Sequence, residues 1–193
     1  MNKILVIAGP SAVGKTTVMN EILRTNEGFE YIRSATTRAP RGDAFDSEYI
    51  YLSKDEFKRL IDTDGVLEYT EYGGNFYGTP KSEIERIFSS GKTPLLILDL
   101  NGVNTLKSAK LDFDVFAVYI TANREELERR LYERLRLAGF TDKAYDTYER
   151  RKKQNIADAE RISELNGVFD MIVENSEVFA CANTIVSRFK KEK

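Results

Sequence analysis

Apolar residues in this chain gather in short unbroken runs, separated by longer stretches in which they recur at helical spacing. Residues 4–8 form one such run, 94–99 (closed by Asp99) and 115–120 two more, and 169–173, interrupted by Asp170, is a fourth strand candidate. An unbroken apolar run of this length predicts a strand covered on both faces, as in a parallel sheet. After the first run comes a turn at 9–14, and then a helix in which Val18, Ile22 and Leu23 share one face. Further helical patterns cover about 103–109, 123–137, 143–165 and 177–190. Strands alternating with helices predict an α/β fold with a mainly parallel sheet.

The stretch from Phe29 to about Pro80 breaks that alternation. It is rich in Tyr, Thr, Arg and Gly and holds short alternating segments at 48–52 and 66–69. Between them, Ser53 and Glu56 have the spacing of a capping box, which predicts a helix start. The expectation is an inserted, largely antiparallel lobe at 33–80 within a core made of 1–32 and 81–193. Residues 134–146 predict a second, smaller excursion, polar and mobile.

Composition narrows the functional classes. The chain has 193 residues, 41% hydrophobic and 11% aromatic, enough to bury the core of one compact domain. Its 29 basic and 31 acidic residues leave a net charge of −2, which argues against a basic nucleic-acid binder. No histidine is present, so histidine triads, bases and metal ligands are excluded. A single cysteine, Cys181, can form neither an internal disulfide nor a paired zinc site, which suits a reduced, cytoplasmic setting. No apolar run approaches the ~20 residues of a membrane span, and the first apolar stretch is too short for a secretory signal.

Residues 9–16 fit G-x-x-x-x-G-K-[ST] in full, after a predicted buried strand and before a predicted helix. Glycines let consecutive backbone N–H groups converge on phosphate oxygens, and the helix start adds its positive end. Gly9, Ser11, Ala12, Val13, Gly14, Lys15, Thr16 and Thr17 are the candidate site for ATP. Lys15 would reach the β- and γ-phosphates, and the Thr16 hydroxyl would ligate Mg²⁺. The bland alternative is a glycine turn beside a solvated lysine. Asp99 closes the run 94–98 at the strand end where ligands of open α/β sheets collect. It is either a second holder of Mg²⁺ or a helix-capping aspartate.

A phosphate loop serves either a hydrolysing switch or motor, or a kinase with a second substrate. The chain is too short for motor machinery and lacks the N-K-x-D that reads a guanine in switch proteins. It does offer a second anion site. Arg38 and Arg41 flank Pro40, with the hydroxyls of Ser34, Tyr49 and Tyr77 in the same segment, a set suited to a phosphate monoester. Solvated arginines and tyrosines that pack the lobe are the alternative.

Taken together these motifs resemble the guanylate kinase family. The resemblance is carried by Gly9-Pro10-Ser11 and Val13-Gly14-Lys15, by Ser34, Thr36-Thr37-Arg38 and Pro40-Arg41, and by Tyr77-Gly78-Thr79. Gly91-Lys92 ahead of Ile97-Leu98-Asp99 continues it, and Ile172-Val173-Glu174-Asn175 returns to it weakly. It spans about residues 4–131. It implies that Ser34, Arg38, Arg41, Asp43, Tyr49, Tyr77 and Asp99 lie about the GMP phosphate and nearby groups, and that Glu68 and Thr79 read the guanine edge. It places Arg134, which follows Arg130-Leu131, beside the transferring phosphates with Lys15 and Arg38, and makes Arg136, Arg150 and Arg151 looser candidates. A carboxylate at Glu68 has its own chemical sense, because guanine N1–H and the N2 amine can both donate to it and adenine offers neither donor there.

The implied fold is a five-stranded parallel core flanked by helices, with an inserted acceptor lobe and a short lid. The implied reaction is Mg²⁺-assisted transfer from ATP to GMP, with dGMP also accepted. Departures from the family are Ala12 for a usual glycine, expected to sit at negative φ, Asp43 for glutamate, and Asn101 near a usual second acid. A kinase for another phosphorylated acceptor, or an inactive domain of the same fold used for protein interaction, are the competing readings.

Overall fold

The computed structural model describes residues 2–40, 42, 46, 49–162, 164–165 and 167–192. The apolar runs become the strands of a five-stranded sheet: β1 (Lys3–Ala8), β2 (Phe29–Tyr31), β7 (Thr93–Ile97), β8 (Asp114–Thr121) and β9 (Met171–Glu174). Their order is β2-β7-β1-β8-β9, and every pairing is parallel. β1 lies at the centre, with Leu5 level with Leu95 on one side and Phe116 on the other. Residues 4–8 are wholly buried, which is why that run carries no polar position.

Alternate side chains feed two cores. Leu5, Ile7, Phe116 and Val118 pack against α1 (Lys15–Thr25) and α7 (Val178–Lys191). There the Phe189 ring meets Phe29 and Phe116 edge-on at 5.4 and 5.6 Å. Ile4, Val6, Leu96 and Ala117 face the other way, against α3 (Lys81–Ser89) and α4 (Leu100–Ser108). Ten or so such buried side chains on each face contribute about 1.5–3 kcal/mol apiece.

The inserted lobe is a separate four-stranded sheet. It holds β3 (Ser34–Thr36), β4 (Tyr49–Tyr51), β5 (Val66–Tyr72) and β6 (Asn75–Pro80), with α2 (Lys54–Asp62) packed on it. The order is β4-β3-β6-β5, with β3 and β4 parallel and the other two pairings antiparallel. The capping box at the start of α2 forms as expected. Glu56 N–H donates to Ser53 Oγ at 3.2 Å, and Ser53 N–H donates to Glu56 Oε2 at 2.7 Å. Phe57 on this helix is wholly buried and stacks on Phe76 at 5.4 Å, so the lobe has its own hydrophobic centre.

The structure differs from the sequence expectation in three places. β2 is a strand of the main sheet inside a stretch without alternation, too short at Phe29–Tyr31 to show a period. The last strand starts at Met171, because the Asp170 carboxylate turns aside to accept from Ala117 N–H at 2.7 Å and Lys107 Nζ at 2.6 Å. The segment 134–146 is no irregular excursion. α5 (Arg124–Leu137) runs into it and α6 (Asp142–Ile162) runs out of it, with a turn at 138–141. Tyr132, Phe140 and Tyr145 meet ring to ring across that turn, at 6.0 and 6.1 Å.

The chain passes between the two sheets at 32–33 and again from β6 into α3, and one buried carboxylate ties the two crossings together. Arg33 donates to Glu83 through Nε at 3.1 Å and Nη2 at 2.9 Å, and Arg86 Nε donates to the same carboxylate at 3.0 Å. Burial by itself would raise the Glu83 carboxyl, but the two arginines outweigh it and bring it down to about 2. A depressed carboxyl stabilises the fold above its unfolded value near 4.5 and loses that contribution as pH falls toward 2. The wild-type melting temperature should therefore decline over this window. Glu83→Gln should melt lower at pH 7 and lack that part of the decline, as followed by circular dichroism. An unchanged slope would assign the acid sensitivity to other carboxylates.

Candidate functional site

The turn between β1 and α1 is held open from behind by distant residues. Gly9 has φ 152°, and a Cβ there would stand 2.4 Å from the Ile120 carbonyl oxygen. Gly14, at φ 99°, caps the start of α1. Between them the Val13 carbonyl is turned inward, where it accepts from Asn175 Nδ2 at 2.8 Å and Arg130 Nη1 at 3.0 Å. Arg130 is itself held by Glu126 at 2.7 Å. With that carbonyl fixed on the protein side, the N–H groups opening α1 are left for an anion.

Lys15 begins that helix and folds back over the loop. Its Nζ donates to Gly9 O at 2.7 Å and Pro10 O at 3.0 Å. Burial lowers its ammonium to about 8; Asp158 and Asp99 act against this, and Arg134 and Arg151 act with it. Lys15 is thus the meeting point of α4 and the α5–α6 hairpin. Arg134 is brought there as expected, and Arg151 joins it. Arg136 is instead engaged by Glu133 at 2.9 Å, and Arg150 is exposed. Beside the loop, Ala12, Gly14, Thr17, Arg130, Arg134 and Asn175 line an open crevice of about 330 Å³.

Asp99 does cap a helix, accepting from Gly102 N–H at 2.7 Å at the start of α4. The same carboxylate raises the titration of both Lys15 and Glu68, so its charge faces the ground between the loop and the lobe. Glu68, on β5, accepts from the Thr79 hydroxyl of β6 at 2.8 Å. Burial pushes its carboxyl up, the Thr79 bond counters part of that rise, and Asp99 adds to it. Thr79 itself is almost wholly buried. Asn101 accepts from Arg161 Nη2 at 2.9 Å, so its amide is engaged away from the position expected of a second acid.

The third group lies on the lobe sheet. The Arg38 guanidinium sits 5.3 Å over the Tyr49 ring and 5.9 Å over Tyr51. Its Nη2 lies 3.4 Å from both Asp46 Oδ1 and Tyr51 OH, while Tyr51 also donates to Asp46. Tyr77 meets Tyr49 edge-on at 6.4 Å, and Ser34 is level with Tyr49 across β3 and β4. Arg41 and Asp43 lie outside the described residues. Tyr51 and Asp46 belong to this cluster and were not expected in it; Tyr51 was legible in principle, two residues from Tyr49 on the same strand face.

A sequence model of the guanylate kinase family matches residues 1–192. A guanylate kinase of Aster yellows witches'-broom phytoplasma is 32% identical over 191 residues, covering 98% of this chain and 86% of that protein. One from Chlamydia muridarum is 34% identical over 193 residues, covering 98% and 88%. Among solved structures, the crystal structure of guanylate kinase from Anaplasma phagocytophilum superposes with a TM-score of 0.68 at 25% identity, covering 99% of this chain and 86% of that one.

One backbone feature corrects the sequence expectation: Ala12 has φ 68°, in the left-handed region, not a negative φ. A residue with a Cβ is strained there by about 1–2 kcal/mol, and glycine is not, although glycine gives back ~0.4–1 kcal/mol through the unfolded chain. Ala12→Gly should therefore raise stability slightly, by about 0.5–1 kcal/mol, and Ala12→Val should lower it. Thermal melts of the three proteins give the order. A melting point for the glycine variant well below wild type would mean that the loop leaves this conformation in solution.

Proposed function

The chain belongs to the guanylate kinase family, and we propose that it transfers the γ-phosphate of ATP to GMP, yielding ADP and GDP. The observation that carries this reading is the Glu68–Thr79 pair, a half-buried carboxylate bonded to one hydroxyl and within range of the Asp99 charge. A guanine edge placed there donates N1–H and N2–H to one carboxylate, and Thr79 supplies a further polar group. The retained Lys15 and Thr16 favour an enzyme over an interaction module of the same fold.

In the reaction a phosphate oxygen of GMP attacks the γ-phosphorus, and the bond to the β–γ bridging oxygen breaks in line. The chemistry asks the protein mostly for alignment and neutralisation of charge. The N–H groups of the loop and of Thr16 and Thr17 cradle the donor phosphates, while Lys15 exchanges the Gly9 and Pro10 carbonyls for phosphate oxygens. The donor's base and ribose lie in the crevice beside Ala12 and Asn175. Ser34, Arg38, Tyr49 and Tyr77 hold the acceptor phosphate; Arg41 and Asp43 join them on the family resemblance alone. Arg134 and Arg151 meet the transferring group.

No cluster of three or more acidic or cysteine side chains suited to a metal occurs among the described residues. Thr16 and the Asp99 oxygen not used in capping are a sparse set that suits Mg²⁺, which prefers phosphates and water for most of its shell. Bound there, the ion would neutralise developing charge on the phosphates. No described helix is long and apolar enough to cross a membrane. The buried free thiol of Cys181 suits a cytoplasmic enzyme acting on small molecules, with no nucleic-acid partner.

A coupled ADP-release assay across nucleoside monophosphates tests the reading. GMP, and dGMP with it, should exceed AMP, CMP and UMP in kcat/KM by about 10⁴-fold, since a site built for a polar edge leaves a buried charge unpaired with the wrong base. Glu68→Ala should narrow the gap chiefly by harming GMP. Because burial raises the Glu68 carboxyl, GMP affinity should begin to fall, on acidification, at a higher pH than an ordinary glutamate would give. Wild-type activity on AMP equal to that on GMP would refute the reading.

Arg38→Ala separates the two substrates. Losing one charge-assisted contact should raise the KM for GMP roughly 10- to 150-fold and leave that for ATP nearly unchanged. An effect confined to ATP would move Arg38 to the donor side.

A further inference from the structure

One face of α6 turns three residues toward the phosphate loop: Arg151, Asn155 and Asp158, spaced as i, i+4 and i+7. Arg151 and Asp158 act on Lys15 through charge. Asn155 is different, because it touches the loop itself. Ser11 N–H donates to Asn155 Oδ1 at 2.7 Å, and Asn155 Nδ2 donates back to the Ser11 carbonyl at 3.1 Å. One amide therefore satisfies both backbone groups of a single loop residue, across 144 positions of sequence.

The consequence follows from peptide geometry. Ser11 N–H and the Pro10 carbonyl belong to one planar unit, and in a trans peptide they point in opposite directions. Holding the N–H against α6 sends the Pro10 carbonyl the other way, where it accepts from Lys15 Nζ at 3.0 Å and from Val13 N–H at 3.4 Å. Freed from Asn155, this unit could rotate about Pro10 ψ and Ser11 φ, neither of which the proline ring fixes. The lysine would then lose one of its two carbonyl partners, and the loop a bond across its turn.

We propose that Asn155 is a positioning residue for phosphoryl transfer, orienting the Pro10–Ser11 peptide and through it Lys15. The clamp also fixes α6, whose Asp158 and Arg151 act on the charge of that lysine in opposite senses. It acts on the donor side alone, because Glu68 and Thr79 sit on the lobe sheet and Arg38 two residues beyond β3. The proposal rests on the kinase reading above for its catalytic consequence, and on the hydrogen bonds alone for the clamp.

The test is Asn155→Ala, which keeps α6 intact because alanine is the stronger helix former. Amide hydrogen exchange should show the Ser11 N–H protected in wild type and fast in the variant, with α6 still folded by circular dichroism and the melting temperature at most modestly lowered. Loss of two neutral hydrogen bonds should lower kcat/KM for ATP by roughly 5- to 150-fold, shared between a lower kcat and a higher KM, with the KM for GMP unchanged. An unprotected Ser11 N–H in wild type would overturn the clamp. Wild-type kinetics in the variant, or an equal loss toward both substrates, would overturn the positioning role. A wild-type chain that protects Ser11 yet phosphorylates no GMP would instead refute the reaction, and the positioning role with it.

Discussion

The rest of the site depends on the gathering of positive charge around one half-buried lysine. Lys15, Arg134 and Arg151 oppose one another, and burial adds to the strain on the lysine's charge. Such a cluster is more tolerable in the free protein where acceptors lie near some of its cations and their neighbours. Lys15 has the Gly9 and Pro10 carbonyls, with Asp158 and Asp99 at longer range; Arg38 has Asp46; Arg130 has Glu126 and the Val13 carbonyl. On the proposed reading, phosphate oxygens would take over from some of these internal acceptors. A polyphosphate entering the site replaces several weak partners with strong charge-assisted ones, and the electrostatic cost of the empty site becomes affinity.

This distribution explains why the fold comes in separable pieces. The cations lie on the phosphate loop, the lobe sheet and the helical hairpin, each with its own packing. The lobe is centred on Phe57 and Phe76, the hairpin turn on Tyr132, Phe140 and Tyr145, and the main sheet on the residues around β1. The joins between them include polar bonds, Arg33 and Arg86 on Glu83, Asn155 on Ser11 and Arg161 on Asn101, beside a few apolar contacts from Leu67, Leu127 and Ile162. Hydrogen-bonded joins can break and re-form at modest cost, whereas a shared apolar core would not part without exposing surface. Closure over two substrates and exclusion of water need that difference.

The sequence disclosed whatever was local. Unbroken apolar runs marked β1, β7 and β8 because burial on both faces forbids a polar position anywhere along them. The phosphate loop was legible because its glycines, lysine and threonine are contiguous, and the α2 cap because its partners are three residues apart. What stayed hidden is what distance in sequence conceals. Asn155 and Asn175 reach the loop from 144 and 162 positions away, and an asparagine on a helix or after a strand has no period to betray it. β2 was too short to show a pattern, and the positive φ of Ala12 contradicts what an alanine ordinarily suggests. Of the two readings of Asp99 the helix cap is seen, and its charge also acts on Lys15 and Glu68.

Base choice follows from the same economy of burial. A carboxylate at Glu68 is raised by desolvation and by Asp99, and it has the one hydroxyl of Thr79 to offset this. Left so, it is an underfilled acceptor with room for further donors. Guanine brings two on adjacent atoms, N1–H and the N2 amine, and their arrival repays the desolvation already incurred by the fold. Adenine turns a bare ring nitrogen toward the same oxygens, and a pyrimidine monophosphate is too short to reach them while its phosphate stays with Arg38. An uncharged amide at position 68 could offer a guanine only one acceptor and would present a donor to the other atom. On the proposed reading, the carboxylate is the group that would turn a raised titration in the empty site into discrimination in the filled one.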